Sequence, residues 1–220
     1  MFNHNYSGEK NMKKLLFTTF TLFLIFLYSS SFAQSVLIGP RLTGNLNIYN
    51  QKGLTGTWNG VGVGIGGALD LGFSPNLGML VNLTAFDMKS FSNSTTTNNQ
   101  TVENTLSLSY FTIDPLFKAE FSGFYMVAGP SLGIKLGSSG ERTVSATGQT
   151  PQVTTMDLET KSVRFDVAFG TGYNFKLSPT MYLGSDFMVY IPLTDTYNFP
   201  GTSNSILSLK LGATLKFKIN

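Results

Sequence analysis

Eight times after Gln34 the sequence settles into a period of two, with apolar side chains at every second position and small, polar or charged ones between them. Side chains two apart share one face of an extended strand, so this rhythm specifies strands that present an apolar face and a polar one. The first strand sets Val36, Ile38, Leu42, Leu46 and Ile48 against Arg41, Thr43, Asn45 and Asn47; the second sets Val61 to Phe73 against Gly62, Gly64, Gly66, Ala68 and Asp70. The third carries Leu77, Met79, Val81 and Leu83, and the fourth begins on Leu106, Leu108 and Tyr110 before changing parity to Ile113, Phe117 and Phe121. A bulge near Asp114-Pro115 is the expected cause of that change, because proline belongs at bulges. Phe124–Ile134, Val163–Phe175, Met181–Ile191 and Leu207–Ile219 complete the set.

The connections alternate in length. Short turns are expected at Ser74-Pro75-Asn76, Ser122-Gly123 and Leu177–Thr180, and long polar loops at Asn50–Gly60, Lys89–Asn104, Gly137–Thr160 and Thr194–Asn204. Short turns on one side and long loops on the other are the asymmetry of an outer-membrane barrel. The fold class that follows is all-β, an eight-stranded antiparallel up-and-down transmembrane β-barrel, with both ends of the mature chain on the periplasmic side.

Charge decides which face meets lipid. On the apolar faces lie only Asp87 and Lys161, both at loop ends, while the opposite faces hold Arg41, Asp70, Lys118, Glu120, Lys135, Arg164, Asp166, Lys176, Asp186, Lys210, Lys216 and Lys218. A Lys or Arg on the lipid face costs roughly 2–4 kcal/mol at mid-membrane. The apolar face therefore points outward, and the charges are expected to pair inside as a structural lumen network. Counting from the short-turn ends places Arg41, Asp70, Lys118, Asp186 and Lys216 low, and Lys135, Arg164, Asp166 and Lys210 high. The high tier holds three cations against Asp166 alone, so it should attract an anion or a loop carboxylate such as Glu141 or Glu159. Phe73, Phe121, Phe124, Tyr173, Phe175 and Phe217 gather near the short turns, where an interfacial aromatic girdle belongs.

A chain of 220 residues suits one domain. Residues 1–33 read as a cleaved signal peptide: Lys13-Lys14, the apolar run Leu15–Tyr28, then small residues up to Ala33. Met12 is the more natural start, and the mature barrel would cover 34–220, exported to the outer membrane. Without Lys10, Lys13, Lys14 and Glu9 the chain carries 12 basic and 11 acidic residues. That balance argues against nucleic acid, whose phosphates demand clustered positive charge.

The sequence has no Cys, and its single His is His4, ahead of the mature chain. Thiolate and imidazole chemistry are thereby excluded from the mature protein, and no catalytic, cofactor or metal residue is expected. Gly62-x-Gly64-x-x-Gly67, with Asp87 twenty residues on, matches a dinucleotide fingerprint. That fingerprint needs a strand before it and a helix opening from it, whereas here the alternation runs on to Phe73. Inward glycines that leave room for long side chains are the better reading. Asp166 and Asp186 could form an acid–base pair, but carboxylates beside inward cations are ordinarily ion-paired. Trp58, Tyr197 and Phe199 stand out as loop anchors for a contact.

Tyr110–Leu136 resembles the PorT-like outer-membrane β-barrel family, which combines Tyr-x-x-Ile-Pro, a following Lys, a tight turn and Phe-Tyr-x-x-Ala-Gly-Pro-x-x-Gly. Tyr110, Ile113, Pro115, Lys118, Phe124, Tyr125, Ala128, Gly129, Pro130 and Gly133 match, and Asp114 departs from the pattern. Lys210-x-Gly212-x-x-Leu215-x-Phe217 resembles the terminal-strand signal read by the barrel-insertion machinery, with three residues following it. The resemblance implies location and fold, a barrel in outer-membrane lipid; with the missing His and Cys, the reading is a non-enzymatic protein with a structural or interaction role and an envelope or secretion-related assembly as partner. A small-solute pore and a soluble or periplasmic ligand-binding barrel are the alternatives.

Overall fold

The computed structural model describes residues 35–52, 58–156, 159–197 and 203–219. The expected signal peptide at 1–33 and the anchor Phe199 lie outside the described residues. Among the described residues nine strands follow one another: β1 (Ser35–Gln51), β2 (Trp58–Gly72), β3 (Leu77–Thr97), β4 (Gln100–Phe121), β5 (Phe124–Ala146), β6 (Gln152–Met156), β7 (Val163–Lys176), β8 (Met181–Pro192) and β9 (Asn204–Lys218). Eight of them close a ring, β4-β3-β2-β1-β9-β8-β7-β5 and back to β4, in which every pairing is antiparallel. The ring is an up-and-down barrel. β6 is an extra strand on the distal part of β5, with Gly140 opposite Met156 and Val144 opposite Gln152.

The polar faces turn inward. Arg41, Asp70, Lys118, Arg164, Asp166, Asp186, Lys210 and Lys216 are all buried, whereas Leu42, Val63, Phe117, Met126, Phe169, Phe187 and Leu211 are exposed. The β4–β5 turn, Ser122-Gly123, places both residues at positive φ (51° and 88°), the backbone a two-residue hairpin requires.

Four sequence expectations change. Lys89–Asn104 is not a loop: β3 and β4 continue through it as a hairpin, from Lys89↔Leu108 to Thr97↔Gln100, closed by Asn98 and Asn99 at positive φ. Much of 137–160 is likewise strand, in distal β5 and β6. Asp87 does not sit on the lipid side. Gly66 pairs Thr84 and Ile65 pairs Phe86, so Ala85 is an extra residue that flips the parity of everything after it. Asp87, Lys89 and Phe91 therefore face the lumen, all buried. Finally, β4 keeps one parity from Leu106 to Lys118, with Leu106, Leu108, Tyr110, Thr112, Asp114 and Leu116 all buried. The bulge expected at Asp114-Pro115 lies instead in β5, where Ser109↔Gly137 and Tyr110↔Lys135 skip Leu136.

Candidate functional site

Among the described residues, the buried charged side chains converge in the lumen, which is filled in layers. Nearest the short turns, Asp70 of β2 sits between two ammonium groups. Lys216 Nζ donates to Asp70 Oδ2 at 2.6 Å and to Asn174 Oδ1 at 2.9 Å. Lys118 Nζ donates to Asp70 Oδ1 and, at 2.6 Å, to Glu120 Oε2. Lys216 Nζ also lies 5.1 Å from the centre of the Tyr125 ring, a cation–π distance. Below this layer a cavity of about 290 Å³ opens between the short turns, lined by Lys118, Glu120, Asn174, Tyr182 and Lys218 among others.

One step up, Arg41 of β1 reaches Asp186 of β8 with both terminal nitrogens. Nη2 donates to Oδ1 at 2.7 Å, and Nη1 donates to Oδ2 and, at 3.1 Å, to Thr214 Oγ1. Gly212 makes this possible: a Cβ there would lie 2.3 Å from Arg41 Nη2. Gly172 does the same for Tyr125, whose ring carbon Cζ would be 2.4 Å from an added Cβ. Tyr125, Tyr190, Met188, Leu80 and Leu116 form an apolar wall at this level.

Above it Asp87 sits between Lys210 Nζ at 2.8 Å and Lys89 Nζ at 3.3 Å. Asn45 Nδ2 donates to its other oxygen at 3.3 Å. Lys210 Nζ lies 4.5 Å from the centre of the Tyr190 ring, and the Tyr190 hydroxyl donates to Asp114 Oδ2 at 2.8 Å. Arg164 Nε donates to Asp166 Oδ2 at 2.8 Å, and its Nη2 to the Ile206 carbonyl at 2.6 Å. An aromatic layer closes the loop end. Tyr49 stacks on Phe91 with centroids 5.0 Å apart, and Tyr197 meets Tyr49 edge-on at 5.7 Å. Leu106, Leu108, Tyr110 and Ile206 complete it, with Trp58 and Met156 packed against it.

Of the nine charges read from the sequence, eight belong to these ion pairs. Lys135 stands apart at the rim, donating to Thr160 Oγ1 at 2.7 Å. The carboxylate expected to come from Glu141 or Glu159 is supplied by Asp87, the residue misplaced on the lipid side. Lys89 and Asp114 were also missed. Their signals were the two-residue spacing Asp87-x-Lys89-x-Phe91 and the inward parity of β4. Asp166 and Asp186 do not pair with each other, since each is held by its own arginine. The Gly62–Gly67 pattern lies inside β2. Trp58 and Tyr197 pack into the aromatic layer rather than standing free in loops.

Chemically, the arrangement occupies the lumen with compensated charge and stacked rings. A buried charge lacking its partner would cost several kcal/mol, so the pairs hold one another in place.

Residues 29–198 match the family described as an outer membrane protein beta-barrel domain. No curated protein matches the chain. Among solved structures, the attachment invasion locus protein Ail of Yersinia pestis is similar at 12% identity, covering 82% of this chain and 98% of that one, with a TM-score of 0.39. OprG from Pseudomonas aeruginosa is similar at 9% identity, with 86% and 97% covered and a TM-score of 0.44. CarO from Acinetobacter baumannii is similar at 10% identity, with 79% and 96% covered and a TM-score of 0.42.

Proposed function

Because the chain belongs to the outer membrane protein β-barrel domain family, we propose that it is a closed, non-enzymatic barrel of the outer membrane. Its role is structural or interactive, as a subunit of an envelope or secretion-related assembly of the PorT-like kind. The observation that carries this reading is the filled lumen. Ion pairs occupy it from Asp70 to Asp166, and an aromatic layer sits over them. Eight-stranded barrels have interiors narrow enough for side chains to fill. What remains for partners is the outside: the lipid-facing wall and the hairpins at the loop end.

The PorT-like part rests on the β4–β5 hairpin residues Tyr110 to Gly133. Export by a signal peptide and delivery to the insertion machinery through Lys210–Phe217 belong to the same proposal. A small-solute pore is the second reading, and the cavity between the short turns is the feature that favours it. In intact envelopes, crosslinking and pull-down should recover a discrete envelope protein. Membrane fractionation together with heat-modifiable gel mobility separates a barrel from a soluble protein. A chain that fractionates with the periplasm and migrates identically before and after boiling would overturn the proposal.

A further inference from the structure

The outward face of the barrel changes character abruptly at the loop end. On β3, Phe86 is exposed and apolar, and after Met88 the outward positions become Ser90, Ser92, Ser94 and Thr96. The change falls on one rung across three strands, because Ser90 pairs Ser107, which pairs Ser139. Ser107 Oγ donates to Ser90 Oγ at 3.2 Å. The next rung joins Ser92, Thr105, Glu141 and Thr155, and the one above joins Ser94, Glu103, Thr143 and Val153. At the top Thr96 and Thr101 hydroxyls lie 3.0 Å apart. None of these outward positions is buried, and none is Lys or Arg.

A face of this kind looks sideways, along the membrane plane. It can meet only what stands beside the barrel, above the acyl chains at the level of the exposed Phe86. Height then selects the neighbour. Ser90 to Thr96 spans about 20 Å along the strand at ~3.3 Å per residue, and about 15 Å of height at a strand tilt of ~40°. A phospholipid headgroup region is only about 5–8 Å thick, the difference between the hydrocarbon core and the whole bilayer shared over two leaflets. The hydroxyl face overtops it. Rows of hydroxyls that both donate and accept suit sugar rings, whereas anionic phosphates would call for the Lys and Arg that are missing here.

We propose that the outward face of the β3–β4–β5–β6 sheet is a docking surface for the saccharide headgroup of a glycolipid in the surrounding outer leaflet. The proposal rests on the membrane-barrel reading above.

Because the chain has no Cys, single cysteines report cleanly on each face. Ser92→Cys marks the hydroxyl face and Thr95→Cys the opposite one. Each is refolded into nanodiscs of phosphatidylethanolamine and phosphatidylglycerol, alone, with lipid A, or with lipopolysaccharide that retains its core sugars. The rate of labelling by a polyethylene-glycol maleimide is then measured. Labelling at Ser92→Cys should slow several-fold only with the core sugars, and Thr95→Cys should change little. Adding Ser90→Ala, Ser94→Ala and Thr105→Val should restore fast labelling at position 92, since these changes keep the strand and remove only hydroxyls. Equal rates in all discs, equal slowing on both faces, or slowing that survives the hydroxyl deletions would overturn the inference. So would equal slowing by free core oligosaccharide added to lipid A discs, which would mean a soluble glycan receptor. Loss of heat-modifiable mobility in every disc would instead defeat the membrane barrel itself.

Discussion

Arg41 on β1 and Asp186 on β8 meet inside the barrel through two parallel hydrogen bonds, with Nη2 to Oδ1 at 2.7 Å and both side chains almost wholly buried. β1 and β8 are not neighbours in the sheet: β9 lies between them, and its Gly212 leaves the space the guanidinium crosses. The pair therefore ties together strands that share no backbone ladder.

Breaking the pair from one side should cost more than removing it whole. Arg41→Met or Asp186→Leu alone leaves an uncompensated buried charge, and each should destabilise the barrel by about 3–5 kcal/mol. The double variant should recover most of that loss, because two apolar side chains then fill the site without a charge to desolvate. A urea titration in lipid vesicles, read by heat-modifiable mobility, gives the three values. Additive losses in the double variant would show that the two residues stabilise the barrel independently.

Glycine positions divide by what an added methyl would meet. At Gly212 it would strike the guanidinium that Asp186 holds in place, and at Gly172 it would strike both Tyr125 and the Ser185 carbonyl at 2.4 Å. Gly212→Ala and Gly172→Ala should each cost about 1–3 kcal/mol, the usual penalty of overpacking. At Gly44 nothing lies within 4 Å, so Gly44→Ala should be neutral or slightly stabilising through the unfolded chain. The same titration ranks all three.

The sequence carried the strands and the lipid-facing side because a period of two is indifferent to everything except the pleat. Leu42, Val63, Phe169 and Leu211 were legible for that reason alone. What failed were places where the pattern skips or the environment repeats. Ala85 adds one residue to β3, and past it Asp87, Lys89 and Phe91 change sides with no compositional mark. Leu106, Leu108 and Tyr110 looked lipid-facing because the top of the lumen is itself apolar. Hydropathy cannot tell an apolar plug from an apolar bilayer. The hairpin beyond Lys89 looked like loop because Ser, Thr and Asn dominate it, although Asn98-Asn99 at positive φ is the turn a hairpin needs. Within the site, Arg41, Asp70, Asp186 and Lys216 were identifiable from parity, whereas the spacing that marks Asp87 and the parity that marks Asp114 acquire a side only once the register of β3 and β4 is known.

Asp195 gives the β8–β9 connection a defined response to acid. The Asn204 backbone N–H, the Ser203 hydroxyl and, more distantly, Lys161 hold its carboxyl below the ordinary carboxylate range. A depressed value in the folded state means the stabilisation is complete above the unfolded carboxylate value and is lost as pH falls through the folded one. Exchange of the Asn204 amide should therefore stay slow at neutral pH. Below the ordinary carboxylate range its protection should fall, after correction for intrinsic exchange, while β9 amides deeper in the barrel keep theirs. Asp195→Asn should show the reduced protection at every pH. An unchanged profile in that variant would remove Asp195 from the cause.

The lumen should be closed several times over, so that no single layer acts as its gate. An ion entering from the loop end meets the Tyr49–Phe91 stack, then Asp87 with Lys89 and Lys210, then Arg41 with Asp186, then Asp70 with Lys118 and Lys216. The charged side chains of each layer are bonded to one another and offer no site where a permeant ion could replace lost hydration without displacing a bonded partner. Wild-type protein in planar bilayers should show no steady conductance. Tyr49→Ala with Phe91→Ala should remain silent, because the ion-paired layers below are untouched. Adding Asp87→Ser, Lys210→Ser, Arg41→Ser and Asp186→Ser to that pair should still give no steady current, because Asp70 with Lys118 and Lys216 closes the layer below, provided gel mobility shows the barrel still folded. A steady ohmic channel from the wild type would establish the pore reading in place of the closed barrel. One from the aromatic double variant alone would show that the ring layer is the gate and that the charged layers below it pass ions.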